Sequence, residues 1–193
     1  MEPIRIAPGL VLTEAQYATA AAGIAAHAPD FAPLTWDTFV RPQGWWLVPD
    51  KDGQLSKAEL VFREERDRTV KINIWYLPDL RGAGPRPHSH PWDFSSQILT
   101  GGYSETRYTV HDGQVDVSEL EHTHGTVNTI DRRLYHEVAA LHAPAGGTMT
   151  LMVCGQGRRS SRGYLDPDTG RHTPPEADPG FPARLKALNP HQA

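Results

Sequence analysis

The stretch PRPHSHPWDF, residues 85–94, decides how the rest of the chain is interpreted. In an extended strand, residues two apart point to the same face, about 7 Å apart along the backbone. His88 and His90 therefore face a common point, and two converging imidazoles suit a transition metal. The alternative is a pair of loop histidines that are neighbours by chance. The pattern on either side of the stretch has to distinguish these two interpretations.

The flanking segments alternate in polarity as antiparallel strands do. Residues 69–77 (TVKINIWYL) put Val70, Ile72 and Ile74 on one face and Lys71 and Asn73 on the other. The same criteria predict further strands over 45–48, 58–62, 94–99, 103–110, 114–120, 134–141 and 147–155. Short strands separated by turn residues about every 8–12 positions indicate an all-β sandwich or barrel.

Composition narrows the class of protein. The chain has 193 residues, which suggests one domain, and its 17 glycines and 17 prolines suit a fold with many turns. A single cysteine favours a reducing, cytoplasmic compartment. The net charge of −4 argues against nucleic acid as a partner. The first ten residues lack a long apolar run, so we expect neither a signal peptide nor a membrane span.

The two ends of the chain differ from the middle. A helix is predicted from Thr13 to His27, because Thr13 and Gln16 form a capping box and Pro29 ends the run of alanines. We expect residues 1–44 to be a helical extension that packs on a barrel formed by residues 45–165. Residues 166–193 form a proline-rich C-terminal tail with one helical turn at PARLKAL.

The spacing of histidines and glycines resembles the two sequence motifs of the cupin superfamily, over about residues 70–155. The resemblance implies a double-stranded β-helix, the cupin or jelly-roll barrel, with one divalent transition metal inside. It also implies that His88, His90 and His136 bind the metal. The matching positions are Gly82, His88, His90 and Gly102 for the first motif and Gly125 and His136 for the second.

The chain departs from the cupin pattern at the fourth ligand. The glutamate of the first motif falls on Ser95, or on Phe94 if the shorter spacing applies, and the asparagine of the second falls on Ala140. A three-histidine site with open positions is therefore expected, and such a ligand set suits Fe(II) or Zn(II). Asp93, two residues early, and Gln97 are candidates for a fourth ligand.

Several polar residues are candidates for catalysis or substrate binding. If Ser95 faces the metal, alternation puts Gln97 on the same face, where a buried amide needs a partner. Gln97, Tyr103 and Glu105 are the candidate catalytic residues, and Arg86, Ser95 and Arg107 the candidate substrate-binding residues. Each can instead be structural: a backbone-paired glutamine, a surface arginine, or an outward polar ladder. Arg158, Arg159 and Arg162 can hold an anion at the barrel mouth or form a solvated edge.

A second histidine pair and the single cysteine are alternative candidates for a functional site. His122 and His124 form a second pair of this spacing, but they lack the upstream glycine, so His88 and His90 are preferred. Cys154 ends an apolar strand and is expected in the core rather than as a nucleophile.

Three functions remain open at this stage. The first is an Fe(II) oxygenase acting on a small polar, carboxylate-bearing metabolite. The second is a non-redox zinc enzyme that isomerises, eliminates or rearranges bonds, and the third is a small-molecule-binding protein without catalysis. A homodimer through the apolar strand at 45–49 is also expected.

Overall fold

The computed structural model describes residues 2–79, 86–157 and 162–192. Its helices are α1 (Glu14–His27), α2 (Trp36–Phe39) and α3 (Phe181–Leu188), with 3-10 turns at Pro42–Gly44 and Pro190–Gln192. Its strands are β1 (Ile4–Ala7), β2 (Leu10–Leu12), β3 (Trp45–Pro49), β4 (Leu55–Glu64), β5 (Thr69–Trp75), β6 (His88–Ser89), β7 (Phe94–Thr100), β8 (Gly102–His111), β9 (Gln114–Thr123), β10 (Val127–Ile130), β11 (Tyr135–Leu141), β12 (Thr148–Cys154), β13 (Gly163–Asp166) and β14 (Arg171–Thr173).

Strands β5–β12 form a jelly roll. One sheet contains the order β10-β7-β12-β5, and the other contains β6-β11-β8-β9. Counted from β5, the first, eighth, third and sixth strands share one sheet and the second, seventh, fourth and fifth share the other, which is the jelly-roll arrangement. The first sheet is extended at one edge by β4 and β3, and the second by β13 and β14. The predicted fold class is therefore confirmed.

The N-terminal segment, residues 2–44, covers the outer face of the first sheet and packs with it to form the main core. The predicted capping box starts α1, where Thr13 accepts a hydrogen bond from the backbone of Gln16. The helix then lays Gly23 against the sheet, where a Cβ atom would come within 2.7 Å of Leu99. The buried core includes Leu10, Leu12, Ala20, Ile24, Phe39, Trp45, Leu47, Leu60, Val70, Ile72, Ile74, Leu99, Met149 and Leu151.

The barrel interior is correspondingly rich in polar groups. Along β5, Ile72 and Ile74 belong to the main core outside the barrel, so Lys71, Asn73 and Trp75 point into the barrel. Asn73 and Trp75 share the hydroxyl of Thr150 on β12 at 3.4 and 3.3 Å. Because the apolar face of this sheet is used for packing against the N-terminal segment, its other face is free to carry functional groups.

The C-terminal segment covers the edge of β3. The side chain of Asn189 accepts from the backbone N–H of Leu47 and donates to its carbonyl oxygen, both at 2.8 Å, as a neighbouring strand would. His191 and Gln192 contact the carbonyl oxygen of Trp45. A homodimer built on β3 would have to displace this segment. None of the described helices is long and apolar enough to span a membrane.

Candidate metal centre

Three histidines converge inside the jelly roll. His88 on β6 lies directly opposite His136 on β11, and His90 follows two residues after His88. One ring nitrogen from each lies within 4.8 Å of the others. The Nε2 atoms of His90 and His136 are 2.9 Å apart. The structure thus brings together the three residues that were expected to bind a metal.

Glu105 on β8 holds His136 from behind. Its carboxylate accepts from His136 Nδ1 at 2.6 Å and from His122 Nε2 at 2.9 Å. Arg107 and Asn128 supply two more donors, at 2.9 and 3.1 Å. Because a proton on Nδ1 of His136 is required for the first bond, its Nε2 presents a lone pair to the cluster. A carboxylate behind a histidine is the usual way of orienting a metal ligand.

The electrostatics of the cluster suit a cation. Burial lowers the pKa of His88 to about 4, assisted by the neighbouring His136. Burial and the charge of His136 likewise hold the pKa of His90 well below its ordinary value. Neutral imidazoles bind metals without first losing a proton. Nitrogens bound to one metal at right angles, each about 2.1 Å away, lie about 3.0 Å apart, close to the observed Nε2 separation. The donor set therefore fits a divalent transition metal.

The face of β7 that meets the cluster differs from the expected one. Phe94 packs against His90 with ring centroids 4.9 Å apart, and Ile98 packs inside the barrel with Tyr103. Ser95 and Gln97 point the other way and line a space beneath His27 of α1. This corrects the expectation that Ser95 and Gln97 face the metal, and the residue that meets the cluster is Phe94, the position given by the shorter spacing. Neither residue is placed to touch a metal or a substrate at this centre.

Asp93 is also remote from the cluster. Its side chain is 54% exposed and forms a salt bridge with Arg132 at 3.2 Å, while one of its oxygens accepts from the Arg132 backbone. Asp93 therefore caps the turn between β10 and β11 and is not a fourth metal ligand. Gly82, Arg158 and Arg159 lie outside the described residues.

The remaining candidate residues lie in or beside the barrel. Tyr103 is buried, and its hydroxyl accepts from Asn128 at 2.9 Å. Arg107 is occupied by Glu105, by Asn128 and by the carbonyl of Thr129. Arg86 stacks on the ring of Tyr164, 4.5 Å from its centroid. Their catalytic or substrate-binding roles stay predictions, and three hydrogen bonds already tie Arg107 to the protein.

A cavity of about 350 Å³ opens beside His88. Its wall carries Lys57 and Trp75 from the first sheet, together with Asp79, which follows β5. Lys57 Nζ lies 2.9 Å from Glu59 and 4.8 Å from the ring centroid of Trp75. Its size is at the lower end of the range for small-molecule sites, about 300–1,000 Å³. The cavity gives a small ligand access to the histidine cluster.

Two of these wall residues, Lys57 and Asp79, were not singled out in the sequence. Lys57 alternates with Ala58 along β4 as a half-exposed strand would, so its polar face reads as solvent-facing. Asp79 lies in a loop, yet it exchanges backbone and side-chain hydrogen bonds with Val138. Burial alone would raise the pKa of Asp79, but the nearby His88 and Lys57 lower it.

The second histidine pair does not reach the cluster. His122 binds Glu105 as described, and His124 Nδ1 contacts the carbonyl of Leu99 at 2.6 Å. Cys154 is buried, and burial raises the pKa of its thiol to about 11. Both placements agree with the preference for His88 and His90 and with a core position for the cysteine.

The strand order defines a jelly-roll barrel, and the three converging histidines define a potential metal centre inside it. No protein-family model matches the chain, and no curated protein does.

Several solved structures match part of the chain. A provisionally named mannose-6-phosphate isomerase from Ralstonia eutropha JMP134 is 16% identical, and the match covers 57% of this chain and 92% of that one with a TM-score of 0.42. An RmlC-like cupin from Shewanella frigidimarina NCIMB 400 is 14% identical over 60% and 87% of the two chains, with a TM-score of 0.35. Fe(II)-HppE is 10% identical over 57% and 54%, with a TM-score of 0.40.

Proposed function

We propose that this protein is a metal-dependent cupin enzyme, an Fe(II) oxygenase that acts on a small polar molecule. The observation that carries the proposal is the convergence of three imidazoles beside a cavity of about 350 Å³. His88, His90 and His136 would hold the ion. A bound Fe(II) with open positions supplies activation of O₂ next to the substrate.

The residues around the cluster have distinct parts in this proposal. Glu105 keeps His136 in the tautomer that binds a metal, so it is a positioning residue. Phe94, packed on both His90 and His136, restricts the approach of bulk water from one side. Trp75 and Lys57 line the approach to His88 from the other side, where the substrate would enter.

A non-redox zinc enzyme is the second candidate function. The observation that favours it is the ligand set itself, because three histidines with no carboxylate is a donor set found in catalytic zinc sites. A bound zinc ion polarises a carbonyl group or a water molecule. Lys57 then stands within the same cavity as a proton donor. A binding protein without catalysis uses the same cavity and differs only in lacking turnover.

Metal analysis tests the proposal. Protein purified without added metal should contain about one transition-metal ion per chain, and His88→Ala and His136→Ala should each lose it. His124→Ala is the matched control, since it removes a histidine from the competing pair and should keep the metal. Oxygen consumption with candidate substrates should then depend on Fe(II). Stoichiometric zinc with no response to Fe(II) would favour the second function, and full metal content in His136→Ala would refute the site.

A further inference from the structure

We propose that the cavity beside His88 binds a negatively charged oxyanion group of a small molecule, a carboxylate or a phosphate, through Lys57 and Arg162. This inference rests on the proposed function for the identity of the site. It adds the charge class of the ligand and the residues that recognise it.

The cavity wall is strongly cationic in a chain whose net charge is −4. Two carboxylates line it, Asp50 and Asp79. The cationic side chains that line it are Lys51, Lys57, Arg86, Arg162 and Arg184. A concave site lined by one sign of charge raises the local concentration of ligands of the other sign.

Not all of these cations are available to a ligand. Arg184 donates to the carbonyl of Asp50 and to the carboxylate of Asp178, and Arg86 is stacked on Tyr164. Lys57 has one hydrogen-bond partner, Glu59, for its three N–H donors. Arg162 has no hydrogen-bond or salt-bridge partner among the described residues, and its charge reaches both His88 and His90. Lys57 and Arg162 therefore both have donors to spare, and the charges of both act on His88 and His90.

The charge balance of the barrel interior also favours an anion. Three carboxylates around the cluster already have cationic neighbours: Glu59 contacts Lys57 and Lys71, Glu105 contacts Arg107, and the charges of His88 and Lys57 act on Asp79. A divalent metal held by the three histidines would add two positive charges beside them, and an unpaired buried charge is costly. An oxyanion in the cavity would restore the balance.

Glu59 provides a matched control for the role of Lys57. Its two oxygens bind two lysines, Lys57 at 2.9 Å and Lys71 at 3.2 Å. Lys57 lines the cavity beside His88, whereas Lys71 lines a separate opening near Trp92. The substitutions Lys57→Gln and Lys71→Gln each remove one positive charge from the triad formed by Glu59 and the two lysines. Only Lys57→Gln alters the cavity beside His88. Arg162 is exposed, so Arg162→Gln tests the same cavity and should leave the free energy of unfolding unchanged.

Calorimetric titration tests the inference with malonate, inorganic phosphate and the neutral analogue malonamide as probes. It is run on zinc-loaded protein and on protein stripped of metal. We expect at least one anion to bind and malonamide not to. Lys57→Gln and Arg162→Gln should weaken that binding by about tenfold or more, while Lys71→Gln leaves it within about twofold. Whichever of malonate and phosphate binds more tightly indicates whether the recognised group is a carboxylate or a phosphate.

The outcomes separate this inference from the proposed function. Anion binding that depends on Lys57 in the stripped protein supports the inference even where the chain binds no metal. Failure of both anions to bind either form would overturn it. Equal affinities for wild type, Lys57→Gln and Arg162→Gln would overturn it as well, because the anion would then be held by the metal alone or by other residues.

Discussion

Replacement of Glu105 by glutamine should reverse the tautomer of His136. One carboxylate oxygen accepts from His136 and Asn128, and the other accepts from His122 and Arg107. A glutamine places an NH₂ group at one of these two positions. The side of His136 and Asn128 is favoured, because an imidazole and an amide can each present an acceptor to the NH₂, whereas the guanidinium of Arg107 cannot. Where the NH₂ meets His136, Nδ1 must become an acceptor, and the proton moves to Nε2, the atom that faces the cluster.

The expected cost follows from the burial of this carboxylate, which is 1% exposed. Burial alone would raise the pKa of Glu105, but the hydrogen bonds from His122 and His136 outweigh it and hold the pKa well below the ordinary value. Removal of one partner from such a buried charged network costs about 3–5 kcal/mol of unfolding free energy. Loss of the orienting carboxylate should weaken metal binding by about 10–100-fold.

Three measurements check this prediction. Urea unfolding reports the stability, chelator competition reports the metal affinity, and ¹⁵N NMR of the histidine side chains reports which ring nitrogen of His136 carries the proton. Glu121→Gln is the matched control, because Glu121 also contacts a histidine, His142 at 2.7 Å, but its side chain is 64% exposed. Retention of the Nδ1 proton on His136 together with wild-type metal affinity in Glu105→Gln would refute the reasoning.

Three further predictions concern stability. The pKa of His88 is about 4 in the fold and about 6.5 in an unfolded chain, so the unfolded state binds more protons in this window. The unfolding free energy of metal-free protein should therefore fall by about 3 kcal/mol as the pH drops from 6.5 to 4, and a flat profile in denaturant titrations would contradict this. Gly23→Ala should change the free energy of unfolding by less than about 1 kcal/mol, because its Cβ displaces only the flexible end of the Leu99 side chain and alanine favours the helix by a similar amount, and it should leave metal content unchanged. Metal loss in that variant would show that the main core and the cluster are coupled. Asn189→Ala leaves the backbone N–H of Leu47 without its partner and should cost about 2–3 kcal/mol. Faster hydrogen exchange at Leu47 is the expected readout, and an unchanged rate would mean that the segment is held by other contacts.

The sequence by itself determined the strands, the helix and the histidines. Alternation with period two depends on local backbone geometry, so it correctly predicted β5, β7, β8, β9, β11 and β12 to within three residues at each end. The capping box likewise fixed the start of α1, because its hydrogen bonds join residues three apart. His88 and His90 share a strand face for the same local reason. The short strands β6 and β10 were missed, since two to four residues show little alternation.

The tertiary structure decided which face of each strand looks inward. Alternation separates two faces but does not orient them when both are buried, as on β7, where Leu99 packs under α1 and Ile98 packs inside the barrel. For that reason Ser95 and Gln97 were placed on the wrong side. Contacts between distant strands also brought Glu105 behind His136, and no local pattern encodes such a pair. Lys57 became part of the cavity wall because the N-terminal segment and α1 took the apolar face of its sheet.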